Sequence, residues 1–440
     1  MKIRKYLNHQ MSAHPFFLIL WASMAAFGAY FCMYMYRKPY AAALFEGQML
    51  FGLDYKIVLI VSQVAGYACS KFLGIRIISS MKPESRAYYY IGLIGIALTG
   101  LSLFYFSSPV WSMLWLFING LALGLIWGVV FQYLEGRSIT ELLTVILSAN
   151  FIFTSGVAKS LGQYCLQSGV SEKMMPMMIG WIFVPLTLLF VWMMTMIPSQ
   201  NQSDMEQRAE RLPMTQVERN AIIKDFGGVL ILFILGYIIL TMIRDVRDNF
   251  GVEIWKGLGY GDNASVYTTS EIPATILLLL LLGALYKIKD NKRALLLNLW
   301  LAIAGLVLLV LATLAFYTGN LNGMLWMMIT GVGLFVPYIL YNGILFDRLI
   351  GAFRITANVG FFMYIVDAFG YLSSVGILLY KNFGNHSISW LQFYTILCVI
   401  AGIVGVLIMI LTHIRIVSLL QKSEHKKSTV SDINLQEKYV

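Results

Sequence analysis

The chain has 440 residues, of which 59% are hydrophobic and only 12% charged, against about 25% charged in an average soluble protein. The formal net charge of +10 would suit a nucleic-acid partner, but most basic residues fall between long apolar runs, where a membrane protein carries them. Two soluble domains, the expectation from length alone, and a nucleic-acid-binding role are thereby excluded; the bilayer is the expected partner.

The first apolar run, from Phe16, is too long for a cleavable leader and shows no small-residue cleavage pattern before Arg37 and Lys38. It opens a series of expected spans at 16–45, 57–80, 88–107, 110–134, 142–166, 174–197, 229–250, 268–288, 294–317, 324–346, 355–380 and 389–412. Each approaches or exceeds the roughly 20 residues that cross a hydrocarbon core. The expected fold is all-α and integral to the membrane, with twelve transmembrane helices in two six-helix bundles. Residues 1–198 form the first bundle, 199–228 a polar cytoplasmic linker, irregular or partly helical, and 229–440 the second bundle with its tail.

Lys and Arg collect in alternate loops: Lys2, Arg4 and Lys5; Lys82 and Arg86; Arg208, Arg211, Arg219 and Lys224; Lys287, Lys289, Lys292 and Arg293; Arg348 and Arg354; and the tail from Arg415. Both termini are therefore predicted to be cytoplasmic, in a bacterial-type inner membrane. Internal repetition agrees with the two-bundle design. Tyr30 and Tyr237 share the spacing that separates Arg37 from Arg244; Arg137 pairs with Arg348, and Ala149-Asn150 with Ala357-Asn358, at nearly the same spacing. Two parallel halves of about 210 residues are implied.

Charges inside the spans carry the functional signal, because an ionised side chain at mid-bilayer costs roughly 2.5–3.5 kcal/mol on insertion scales. Tyr30, Tyr34 and Arg37 share one helical stripe, and Tyr237, Thr241, Arg244 and Asp248 form its counterpart. Two guanidiniums on the first helices of facing halves would make a central anion site, since the planar fork of arginine donates two parallel charge-assisted bonds. The bland reading is that both snorkel to an interface or pair with local acids such as Asp245 and Asp248. Lys71 and Lys159 lie within expected spans and either line the path or pair with a neighbour. Asp367, near the middle of its span, is a partner for Lys159 or a proton-binding group. Glu271 is expected at an interface. Glu135 with Arg137, and Asp347 with Arg348, lie at the cytoplasmic ends of spans 4 and 10 and are expected in inter-helix salt bridges that hold one conformational state.

Gly120, Gly124 and Gly128 make a small-residue face suited to close helix packing. Cys32, Cys69, Cys165 and Cys398 sit in apolar runs without disulfide or zinc spacing. There is no phosphate loop, histidine cluster or carboxylate pair at catalytic spacing. No enzyme, metal or cofactor is expected, and the chain is taken as a monomer.

The run Phe27-Gly28, Tyr30, Tyr34, Tyr36-Arg37-Lys38-Pro39-Tyr40-Ala41 resembles the first helix of the organophosphate:phosphate antiporters of the major facilitator superfamily. Gly66-Tyr67-Ala68-Cys69-Ser70-Lys71-Phe72, Ile272-Pro273-Ala274-Thr275 and Phe369-Gly370-Tyr371-Leu372 extend the likeness into both halves. The resemblance implies a rocker-switch major facilitator fold with Arg37 and Arg244 as phosphate ligands, Lys38 and Lys71 as supporting cations, and Tyr30 and Tyr34 against the substrate; Tyr237, matched to Tyr30 by the repeat, joins them. The sequence departs from that family in lacking its Asp-Arg signature near Arg76 to Lys82 and its histidine near Ala149-Asn150-Phe151, and in carrying Asp367.

The leading expectation is thus a carrier of a small anion, an organic phosphate exchanged for inorganic phosphate. The alternatives are a proton-coupled carrier that uses Asp367, and a transporter-like sensor without flux. Either head group turned to the lipid headgroups, or fully neutralised by the acids of its own helix, would overturn the leading expectation in its two-arginine form.

Overall fold

The structure, a computed structural model, describes residues 2–436 except 80, 135, 136, 138, 200–215, 286, 343, 356, 358 and 385–387. Among the described residues eleven helices are long and apolar enough to cross a membrane, or twelve with a bent pair counted as one span. Spans 1 to 3 are Pro15–Arg37, Tyr55–Ser79 and Arg86–Phe106. Span 4 is Pro109–Leu123 with Ile126–Leu134, span 5 Thr140–Ser148 with Asn150–Gln167, and span 6 Met174–Ile182 with Val184–Thr195. Spans 7 to 12 are Gln216–Asn249; Val266–Thr269 with Ile272–Leu285; Asn291–Tyr317; Gly323–Tyr341; Val359–Gly384; and Trp390–Gln436. The face carrying the start of span 1 is called the tail face here, and the opposite one the distal face. The protein is a multi-pass membrane protein, and its outward surface is apolar, with Leu280, Ile400 and Leu407 among the exposed side chains.

Proline decides two of the breaks. Pro185 lies at the start of the second segment of span 6, where the axis turns by 43°, because proline has no N–H to continue the ladder. Pro39 ends span 1 at Arg37 and starts a 3-10 turn, Pro39–Ala42. The regular helix is therefore shorter than the expected 16–45. Ending it there strands the Tyr36 and Arg37 carbonyls, and a buried polar network answers them. Asn119 Nδ2 donates to Tyr36 O at 3.2 Å, and Gln63 Nε2 donates to Arg37 O at 3.1 Å. Gln63 also donates to Asn119 Oδ1 at 2.8 Å and accepts from the Tyr40 hydroxyl at 3.1 Å.

Span 7 starts at Gln216, well inside the segment expected to be linker. The last part of the expected linker, 216–228, is therefore helical and continuous with span 7. The rest of the expected linker, 200–215, lies outside the described residues. Past span 1, Met49–Leu50 pairs with Leu53–Asp54 in a small hairpin that was not expected. Phe51 and Gly52 both hold positive φ there, as a two-residue hairpin turn requires.

Small residues let the spans approach. A side chain on Gly120 would collide with the Gln63 carbonyl of span 2, as the expected glycine face of span 4 requires. The first six spans meet the last six along two seams. Span 2 packs on span 11 at Tyr67 and Tyr371, whose rings lie 4.9 Å apart. Span 5 packs on span 8, where Gly156 lies under the Tyr267 carbonyl and Thr268 Oγ1 donates to Ser160 Oγ at 2.8 Å.

Candidate functional site

Arg37 and Arg244 are each only 8% exposed, so neither snorkels to a headgroup layer. They stand on either side of one pair of rings. The Arg37 guanidinium carbon is 4.1 Å from the Tyr67 ring centre, and that of Arg244 is 5.6 Å from Tyr371. Lys71 joins them, 5.1 Å from Tyr67 and 5.9 Å from Tyr371. Three cations therefore surround two tyrosines, whose electron-rich faces offset part of the desolvation. Tyr34 contributes a third ring, 6.0 Å from Arg37, and Tyr30 packs edge-on against Tyr34.

The two arginines differ in what neutralises them. Asp245, the next residue on the same helix, accepts from Arg244 Nε at 2.7 Å and Nη2 at 2.5 Å. Arg244 Nη1 donates to the Tyr338 hydroxyl, and Ser374 donates to the other oxygen of Asp245. The expected symmetrical pair of free guanidiniums is thus corrected. Arg244 faces the shared rings, but its charge is met by an acid of its own helix. The repeat explains why: the residue after Arg37 is Lys38, and the residue after Arg244 is Asp245. No carboxylate among the described residues lies within salt-bridge distance of Arg37, and its Nε is buried without a hydrogen-bond partner. The nearby Thr241 hydroxyl, on the Arg244 stripe, is likewise buried and unpartnered.

Asp248 sits between two lysines of the other half. It pairs with Lys38, pairs with Lys159 at 2.8 Å and accepts from Ser155; Lys38 also donates to Asn249 Oδ1 at 2.9 Å. Asp367 pairs with Lys71 at 3.2 Å and accepts from the Tyr237 hydroxyl at 2.6 Å. The expected Asp367–Lys159 pairing is therefore corrected, because span 11 abuts span 2 whereas span 5 faces the end of span 7. Arg247 turns away from Arg244 and pairs with Glu271 at 2.8 Å, which places Glu271 in an internal ion pair and not at a free interface. Within the central site five cations, Arg37, Lys38, Lys71, Lys159 and Arg244, face three carboxylates, Asp245, Asp248 and Asp367. The formal excess is two positive charges.

Toward the distal face the halves are tied again, by Lys56 and Glu253 at 2.6 Å and by the exposed pair Lys256 and Glu46 at 2.8 Å. Burial pushes the Glu253 carboxyl above its usual value, and Lys56 opposes that rise. On the tail side, Arg348 donates to Asn291 Oδ1 at 2.8 Å. That contact joins two helices, as expected of Arg348, though Asn291 is an amide and not an acid. Arg137 donates to the Pro198 carbonyl, and its expected partner Glu135 lies outside the described residues. An open concavity of about 440 Å³ on the distal face, lined by Tyr164, Gln167, Tyr260 and Asp262, involves none of the expected site residues.

Gln63, Asn119, Tyr67, Tyr338 and Tyr371 belong to the site or position it, yet sequence reasoning assigned them no role. One signal was available: Gln63, Tyr67 and Lys71 recur every four residues along span 2 and form one polar stripe in an apolar helix.

Residues 39–417 match a family described as "Family of unknown function (DUF5690)". The chain belongs to that family. No curated protein sequence matches it significantly. Among solved structures it is similar to the crystal structure of a D-xylose-proton symporter, with 15% identity and a TM-score of 0.61 over 89% of this chain and 96% of that one. It is also similar to the crystal structure of the nucleoside transporter NupG, with 14% identity and a TM-score of 0.58 over 91% of this chain and 98% of that one. At these identities the likeness establishes the fold, and the fold of this DUF5690 member is that of the major facilitator transporters.

Proposed function

We propose that the protein is a secondary carrier of a small anion that works by alternating access, and that its solute is an organic phosphate exchanged for inorganic phosphate. The observation that carries this reading is Arg37, a buried guanidinium with no acid to meet it, beside two lysines that share the single carboxylate of Asp248. An unmet charge inside a protein costs several kcal/mol, and an anion that enters removes that cost. An excess of two charges suits a phosphate monoester dianion. The fork of Arg37 is the principal ligand, with Lys38 and Lys159 able to turn from Asp248 toward the solute. Arg244, neutralised by Asp245 of its own helix, meets the condition set against a two-arginine site, so the proposal rests on Arg37 as ligand and leaves Arg244 to set the field on the far side of the ring pair.

The same pairs suggest how binding couples to movement. Lys38 and Lys159 of the first half meet Asp248 of the second at mid-depth, and Glu46 meets Lys256 distally, so these pairs hold the halves together toward the distal face. A ligand that competes with Asp248 for the lysines weakens that tie and shifts the population toward distal opening. The test is exchange of radiolabelled phosphate in proteoliposomes. Arg37→Lys keeps the charge and loses the fork, so exchange should fall by about tenfold or more, the equivalent of one charge-assisted bond at roughly 1.5–3 kcal/mol. Unchanged exchange in that variant would remove Arg37 from the binding site.

A further inference from the structure

The charge balance leaves unexplained a cluster of rings that spans the interior between the halves. Trp127 opens the second segment of span 4, just past the break after Leu123. Its ring stacks on Phe151 of span 5 with centres 4.9 Å apart and an angle of 29°. Tyr30 meets both rings edge-on, at 5.1 and 6.0 Å. Phe151 then reaches across to span 10, where its ring lies 5.9 Å from Tyr338 at 80°. Tyr30 and Tyr338 are fully buried, whereas Trp127 and Phe151 are only partly so.

Two features set this cluster apart from ordinary core filling. The Phe151–Tyr338 contact crosses from the first six spans to the last six, so it separates whenever the halves part. The surfaces it then presents are aromatic on both sides, and Tyr338 is also the hydroxyl that Arg244 holds. Its distance from the free cation is also set by one helix: Tyr30 precedes Arg37 by seven residues on the same stripe, roughly 10 Å. A flat ring entering between Phe151 and Tyr338 would exchange one aromatic contact for two, and such contacts depend on ring geometry as well as on buried area.

We propose, on the basis of the anion-carrier reading, that the solute is a phosphomonoester bearing a flat aromatic ring, of the nucleoside monophosphate kind. The phosphate lies on Arg37 and the ring lies between Phe151 and Tyr338, beside the Trp127 wall. A phosphate ester without such a ring engages the cation alone.

The test is displacement of radiolabelled inorganic phosphate from the purified full-length protein by adenosine 5′-monophosphate and by ribose 5-phosphate, which differ by the base. The nucleotide should displace at about three- to tenfold lower concentration, the range of one or two aromatic contacts. Trp127→Leu and Phe151→Leu should bring that ratio close to one, and Trp127→Phe, which retains a ring, should preserve most of it. Equal displacement by the two esters in the wild type overturns the ring proposal, as does a ratio that the leucine variants leave intact; the phosphate site at Arg37 survives either result. If inorganic phosphate does not bind the wild type, or binds Arg37→Gln equally well, the carrier reading fails and this proposal fails with it.

Discussion

Asp245 takes two nitrogens of Arg244 at 2.7 and 2.5 Å, one residue along the same helix. The repeat-matched position beside Arg37 is Lys38, which pairs with Asp248 of the opposite half. The arginine is thus met by an acid of its own helix in one half and, among the described residues, by no acid in the other.

That asymmetry predicts unequal mutants. Arg244→Lys should weaken phosphate binding less than Arg37→Lys does. Asp245→Asn should free Arg244, raise the excess to three charges and destabilise the empty protein by about 3–5 kcal/mol, the range for breaking a buried pair. Added phosphate should restore more thermal stability to Asp245→Asn than to the wild type, because a ligand stabilises the state that binds it. Melting curves with and without phosphate check this; equal shifts would speak against an available Arg244.

The Lys71–Asp367 pair joins span 2 to span 11. Asp367→Asn should destabilise by leaving Lys71 buried without an acid, and Lys71→Met added to it should recover much of the loss. A double-mutant cycle on melting temperature measures that coupling. The same variant separates the two transport readings. If Asp367 is the proton-coupling group, Asp367→Asn abolishes the response of uptake to a pH gradient; if it is only the counterion of Lys71, phosphate exchange persists without that change.

Gln63 should matter more than its distance from any ligand suggests. Gln63→Leu leaves the Arg37 carbonyl and the Asn119 side chain without their partner. A loss of about 1–3 kcal/mol in stability follows for an unmet buried polar group, and a weaker phosphate affinity should accompany it because the Arg37 backbone shifts. Lost stability with unchanged affinity would confine Gln63 to a structural role.

Glu253 gives the distal face a dependence on pH. Its carboxyl is raised by burial among Lys56, Asp54 and Tyr267, whereas in an open state water would return it toward the ordinary value of about 4.3. The closed state therefore holds the proton more tightly. Its advantage is complete below the ordinary value and is lost as the pH rises through the raised one. Distances between spin labels at Gln48→Cys and Asp262→Cys should show the distal face more closed at the acidic end of that window. Glu253→Gln should flatten the response.

Much of this architecture was legible in the residues. Apolar length alone marks the spans, because the bilayer sets a minimum that few other structures share, and the repeat brought Arg37 and Arg244 to a common level. Pairing was not legible, since it depends on which helices abut. Asp367 met Lys71 because span 2 abuts span 11, Lys159 met Asp248 because span 5 faces the end of span 7, and Glu271 met Arg247 within the second half. How far the helix of span 7 runs back into 216–228 was not legible from apolar length, because polar turns outside the apolar run extend a helix without marking it. Asn119 was missed because a lone amide in an apolar helix gives no sign of the broken carbonyl it serves.

The central claim is that Arg37 is a vacant cation awaiting a phosphate. Equilibrium binding of radiolabelled inorganic phosphate to the purified wild type and to Arg37→Lys tests it most directly. The account predicts saturable binding to the wild type and an affinity lower by about tenfold or more in the variant. Equal affinity in the two proteins, or no saturable binding to the wild type, would contradict it.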